Sequence, residues 1–343
     1  MNRRVTMSDI AKRVNMSRAT VSAVLGNKAH CFASEKTKAL IRETAEQMGY
    51  TPNLLARGLK SGRTCTIGLI ECSMQNEVKQ QEVVQYTNLL GERDYRLYVS
   101  YTKGEERLLR LACEDLLARG CDALIISGRI EPADFRIVEE ITTCAVFITN
   151  LPPLSWERVI CYDYAAGVSQ AMEHLHDTFG HRNIRMIGRY WSTFFDDMRV
   201  VTFQEMLAQF DLSAENPVSV VNQTTEVTPE FMRNFFAESP DCTAIFCSND
   251  LLAMRVIQSC SKLGITVPGD LSLIGFDDIE SSSYSTPALT TIRHPLEEGA
   301  HETFKLLMNM LENENEPVCH RLPAQLIIRE SCDVPRRKKL NLN

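Results

Sequence analysis

The chain has 343 residues, 44% hydrophobic and 24% charged, which suits a globular fold of two or three domains and excludes a disordered or fibrous one. Its net charge of −7 argues against a nucleic-acid partner for the chain as a whole. Residues 1–63, however, carry twelve Lys/Arg against four acids, a net +8 that leaves −15 on the remainder. No apolar run approaches the ~18 residues of a membrane span, and no signal-peptide core follows Met1, so the expected location is the cytoplasm.

The first element starts at Thr6. Thr6-Met7-Ser8-Asp9 has capping-box form, and Ile10, Ala11 and Val14 make one apolar face of a short helix. Asn15-Met16 breaks it, because Asn tolerates the left-handed backbone a tight turn needs. Ser17 suits the cap of a second helix, Arg18 to Leu25, which buries Val21, Val24 and Leu25. Two short helices around so brief a turn form a helix-turn-helix, whose second helix is built to enter a DNA major groove. Arg18, Ala19 and Ala23 then face bases, and Ser17 and Thr20 reach phosphates. Ser34 caps a third helix that Gly49 stops. Pro52 can open a further short helix, Asn53 to Leu59, with Gly58 inside it. So short a helix is marginal in water, and Gly costs up to about 1 kcal/mol more. It should order only against DNA and a second copy of the chain.

From Thr66 onward, β-rich runs alternate with amphipathic stretches. Strands are expected at 66–70, 96–100, 123–127, 145–149, 159–162, 184–187, 218–221, 244–247 and 271–275, with helices such as 79–91, 105–118, 168–178, 199–209 and 250–263 between them. Strict alternation implies parallel doubly wound sheets, and a restart near Asp163 implies two lobes with a cleft between them. The twelve cysteines are scattered without a C-x-x-C, as free thiols in a reducing compartment would be. His174 and His176 lie two apart on an expected helix and face different sides, so no metal site is expected. The nucleotide, phosphate-loop and nucleophile-elbow motifs are missing, so neither an enzyme nor a cofactor is expected.

The string from Thr6 to Leu25, together with Gly49-Tyr-Thr-Pro-Asn53-Leu-Leu-Ala56-Arg-Gly-Leu59 and Thr66-Ile-Gly68, resembles the lactose/galactose repressor family. It departs at Asn15, where that family usually has Gly, at Ala23, where a polar reader is common, and at Gly26-Asn27, which stands for Asn-Gly. Gly180-His-Arg-Asn-Ile184, Ser248-Asn-Asp250, Gly275-Phe-Asp-Asp278 and Pro287 to Arg293 are similar to its sensor domain, which is itself similar to periplasmic sugar-binding proteins. The resemblance implies a repressor acting as a homodimer on double-stranded operator DNA, with a sugar-like effector bound between the lobes. It implies that Asn53, Ala56 and Leu59 lie in a hinge helix, with Leu59 wedged into the minor groove, and that Arg199, Asn249 and Asp277 contact the effector. The Gly that usually follows this arginine is absent. Aromatic Trp191, Phe194 and Phe195 offer faces for a sugar or for the core. The expected organisation is a head at 1–50, a hinge and linker at 51–63, a two-lobed sensor at 64–335 and a basic tail at 336–343. Lobe one takes about 64–162 and 294–323; lobe two takes about 163–293 and 324–335.

Overall fold

The computed structural model describes residues 5–26, 33–50, 62–72, 77–150, 157–189, 197–212, 216–221, 226–312 and 318–336. It falls into two compact units, Met1–Thr64 and Cys65–Asn343.

The first unit is three helices: α1 (Met7–Arg13), α2 (Arg18–Leu25) and α3 (Glu35–Gln47). Both arms of the expected capping box form, since the Thr6 hydroxyl takes the Asp9 N–H and the Asp9 carboxylate takes the Thr6 N–H. Asn15 turns the chain at φ 53°, and Gly49 ends α3 at φ 65°. Ile10, Ala11, Val21, Val24, Ile41 and Ala45 close a core small enough that each helix must contribute to it.

In the second unit β1 (Thr66–Glu71), β2 (Arg96–Tyr101), β3 (Ala123–Ser127), β4 (Ala145–Thr149), β5 (Val159–Asp163) and β11 (Cys319–Pro323) form one parallel sheet in the order β11-β5-β4-β3-β1-β2. A second parallel sheet runs β7-β6-β8-β9, from β6 (Ile184–Arg189), β7 (Val218–Val221), β8 (Ala244–Cys247) and β9 (Ser272–Ile274). The central strands β1, β3 and β4 are buried along their length, as strands covered on both faces must be. Covering helices include α4 (Glu77–Gly91), α5 (Glu106–Ala118), α6 (Pro132–Ile141), α7 (Tyr164–Glu173), α8 (Met198–Gln209), α9 (Pro229–Glu238), α10 (Asp250–Lys262), α11 (Glu280–Tyr284) and α12 (Leu296–Leu311).

The chain passes between the two sheets three times: from β5 into α7, from β10 (Thr291–Arg293) into α12, and from β11 into β12 (Gln325–Ile327). β10 and β12 pair antiparallel, an exception to the expected all-parallel pairing. These strands are short and do not show in the sequence pattern. The stretch at 168–178 is also not one uniform helix: α7 gives way to a π-helical turn at His174–Thr178. His174 is buried there, His176 stacks on Phe210 at 3.9 Å between centroids, and no metal-binding cluster occurs among the described residues. All described cysteines are free thiols.

Candidate functional site

α2 presents its N-terminal turn to solvent. Ser17, Arg18 and Ala19 are exposed, while Thr20 and Ala23 are half-buried. Ser17 caps the helix by accepting the Thr20 N–H at 3.0 Å, and the two hydroxyls lie 2.9 Å apart. Ser17 Oγ therefore already serves the cap, and one hydroxyl proton lies in the Ser17–Thr20 bond, leaving the other and the first backbone N–H groups for a phosphate. The first turn of α2 carries no acid to oppose an anion, whereas α3 has Glu35 there. Asn53, Ala56 and Leu59 lie outside the described residues, as do Trp191, Phe194 and Phe195.

The three sensor residues converge where β8 and β9 end. Asp197 caps α8 and holds Arg199 twice, Oδ1 taking Nε at 2.8 Å and Oδ2 taking Nη2 at 3.0 Å. Nη1 donates to the Ser248 carbonyl at 2.8 Å, next to Asn249. Burial works against the charged carboxylate of Asp197, but the Arg199 guanidinium outweighs it and keeps the group below the ordinary carboxylate range. Arg199 also lies over the rings of Phe276, at 5.1 Å, and Tyr164, at 5.8 Å. Asn249 caps α10 through its oxygen, which takes the Leu252 N–H at 2.8 Å. Its amide donors play no part in that cap. Asp277 sits at φ 119°, a strained backbone for any residue with a Cβ, and accepts from His294 Nε2 at 2.9 Å.

Sequence reasoning missed several neighbours: Asp197, Tyr164 and His294, and a buried group in the first lobe formed by Glu71, Lys79, Glu82 and Ser127. Two signals were there to read. Glu71 ends the otherwise carboxylate-free strand TIGLIE, and Glu82 interrupts the buried stripe Val78-Glu82-Tyr86-Leu90 of α4. A cavity of about 690 Å³ opens onto Asp277 and His294, flanked by Gln81, Gln85, His301 and Gln325. Its volume is that of a small-ligand pocket, yet Arg199 lies outside its lining.

Residues 6–53 match the bacterial regulatory proteins of the lacI family, and residues 172–332 match a periplasmic binding protein-like domain. The probable HTH-type transcriptional repressor ExuR of Bacillus subtilis (strain 168) is 30% identical over 314 residues, 88% of this chain and 92% of its own. The chain belongs to the lacI family. Other lacI-family relatives include the HTH-type transcriptional regulator GalR of Escherichia coli (strain K12), 28% identical over 333 residues and 96% of each chain. The HTH-type transcriptional repressor PurR of Pectobacterium atrosepticum is 27% identical over 315 residues, 91% of this chain and 92% of its own. In fold, this lacI-family chain is similar to a Lac repressor dimer bound to operator and the anti-inducer ONPF, with TM-score 0.82, 22% identity and coverage of 96% and 99%. It is thus a DNA-binding transcription regulator with an effector-binding sensor domain, among relatives that are regulators and not enzymes. Among the described residues, no helix is long and apolar enough to cross a membrane.

Proposed function

We propose that the chain is a cytoplasmic repressor, acting by binding alone, whose homodimer holds a two-fold operator and loses or gains affinity when a sugar-like effector enters the cleft. The observation that carries the DNA half is the exposed, acid-free N-terminus of α2 on a unit of net charge +8. Ser17, Arg18, Ala19, Thr20 and Ala23 read one half-site, and Asn53, Ala56 and Leu59 contact the minor groove between half-sites. Arg199, Asn249 and Asp277 take the effector's hydroxyls. A guanidinium, an amide and a carboxylate supply donors and acceptors in the mix that a polyol needs.

The homodimer draws support from exposed apolar groups on one side of the first lobe: Val84 on α4, and Tyr98, Val99 and Tyr101 on the edge strand β2. Exposed patches of this kind mark association surfaces.

The test is selection of binding sites from random duplexes, followed by titrations of wild type and Arg18→Ala. A palindromic site should emerge. Arg18 is the one long donor among the reading positions, so its loss should cost about 1–3 kcal/mol and relax one position per half-site. A selection that yields no two-fold site, or a mutant with unchanged affinity and preference, would overturn this docking.

A further inference from the structure

The face that α2 turns away from the core of the head is built of short side chains. Val21 and Val24 point inward, at 0% and 2% exposure. With about 100° of turn per residue, the opposite side of the helix carries Ala19, Ser22 and Ala23 and runs out at Gly26. Ala19 and Gly26 are exposed, and Ser22 and Ala23 are half-buried. None of these side chains reaches past a γ atom. Arg18, exposed at the edge of the same face, is the one long polar side chain of the helix.

The other polar groups of the head are placed for phosphate. The Ser17 and Thr20 hydroxyls lie 2.9 Å apart at the N-cap. Lys12 and Arg13 are exposed in the last turn of α1, and the first helix of a helix-turn-helix crosses the DNA backbone. Contacts of that kind position the protein and carry no sequence. The base edges are left to Arg18, Ala19, Ser22 and Ala23.

A major groove offers acceptors, amino donors and one apolar group, the C5-methyl of thymine. Arg18 suits guanine, whose O6 and N7 take two N–H groups at once. A serine hydroxyl donates or accepts, so Ser22 discriminates little. The two alanines have only a methyl to offer. Against guanine or cytosine, each would cover a base acceptor or amino group without replacing the water it loses, which costs free energy. Against thymine, methyl meets methyl and water leaves both. Ala19 and Ala23 lie ~6 Å apart along the helix, close to two base-pair steps of ~3.4 Å. Their shortness also lets the α2 backbone come near enough to the bases for such contact.

We infer that each operator half-site is read through one guanine, held by Arg18, and through the C5-methyl groups of two thymines, covered by Ala19 and Ala23. This rests on α2 being the reading helix.

The experiment uses the full chain and an operator selected from random duplexes. Each thymine is replaced in turn, in both half-sites at once, by deoxyuridine, which lacks only the C5-methyl. Each guanine is replaced by 7-deazaguanine, which lacks the N7 acceptor. Affinity is titrated for wild type, Arg18→Ala, Ala19→Gly and Ala23→Gly. Uracil should weaken wild-type binding at two thymine positions, by about fourfold per half-site, the fold-change that ~0.8 kcal/mol per buried methylene gives. Ala19→Gly should be indifferent to uracil at one of these positions and Ala23→Gly at the other. Arg18→Ala should be indifferent to 7-deazaguanine at one guanine. A half-site without thymine, one in which no uracil weakens binding, or a uracil penalty that both glycine variants keep overturns the methyl reading and leaves the docking of α2 standing. If no two-fold site is selected, the docking falls with it. The wild-type series decides the question even where a glycine variant unfolds the head, which a melting curve of each variant reports.

Discussion

Arg199 and Asp277 look equivalent in sequence, each a charged residue expected at the effector, but their surroundings predict different outcomes on removal. Asp197 is 4% exposed, and Arg199 is the partner of its charge. Arg199→Ala strands a buried carboxylate and should cost about 3–5 kcal/mol of stability. Asp277→Ala leaves one histidine nitrogen without its acceptor, a loss of about 1–3 kcal/mol, and keeps the strained φ, since alanine also carries a Cβ. Asp277→Ala is therefore the cleaner probe: it should lose the effector response in operator titrations and lower the melting temperature less than Arg199→Ala does. A retained response would make Asp277 a structural residue only.

Two buried carboxyls pull the pH response one way, and burial of His174 and His181, which holds both below the ordinary histidine range, pulls it the other. Burial pushes Asp250 up to about 7, against hydrogen bonds from Ser282, Thr291 and the Ile279 N–H, and Glu71 up to about 8. The groups facing Glu71 are Lys79, Glu82 and Tyr86 from α4, Tyr162 from β5 and the neighbouring Cys72. A carboxyl whose folded value lies above its unfolded one binds its proton more tightly when folded. Its contribution to stability is then lost as pH climbs from the ordinary carboxylate range toward 7 and 8. The sensor unit should melt lower at pH 8 than at pH 5.5, and Glu71→Gln should flatten that slope. A melting temperature that rises over this interval would mean that other groups dominate.

At the scale of elements, the head depends on its caps. The Ser34 oxygen takes the Thr37 N–H at 3.2 Å, and α3 supplies Ile41 and Ala45 to a core of six buried residues. Ser34→Ala should cost about 1 kcal/mol, read as faster amide exchange across the head in the full chain. Leu59→Ala tests the hinge: random-duplex, salt-dependent binding should survive and operator preference should fall, because phosphate contacts do not need the wedge. Equal weakening on both duplexes would reduce the hinge to a tether. The elements that could be read from sequence share a physical feature: a strong local signal. Caps at Thr6, Ser17 and Ser34 and long apolar runs such as β3 and β4 announce themselves. β10 and β12, three residues each, do not, because their pairing depends on partners far along the chain. The same holds for the site. Arg199, Asn249 and Asp277 sit in recognisable strings after strands, whereas Lys79 and Glu82 gain meaning only once α4 is folded against β1 and β3.

At the scale of the molecule, the exposed apolar surface makes a prediction. Tyr98 is 46% and Val84 55% exposed, on the free edge of the six-stranded sheet and the helix beside it. A Tyr98→Asp, Val84→Asp double variant should sediment as a monomer and bind operator far more weakly, since each half-site would then be held alone. A variant that stays dimeric places the pairing surface elsewhere.

The three crossings between the sheets also bear on how the protein is made. β11, an edge strand of the first sheet, lies at Cys319–Pro323, 156 residues beyond the end of β5 beside which it pairs. A ribosome adding ~5–20 residues per second takes roughly 8–30 seconds to cover that gap. Throughout that time β5 has an unpaired edge, while the second sheet emerges and folds beside it. The nascent chain must therefore keep a growing, unfinished first lobe from pairing with its neighbours on the same message. An early stop anywhere before Cys319 would leave that edge open permanently, so truncation products of this chain should be recovered as aggregates or with chaperones, not as a free head-and-lobe fragment.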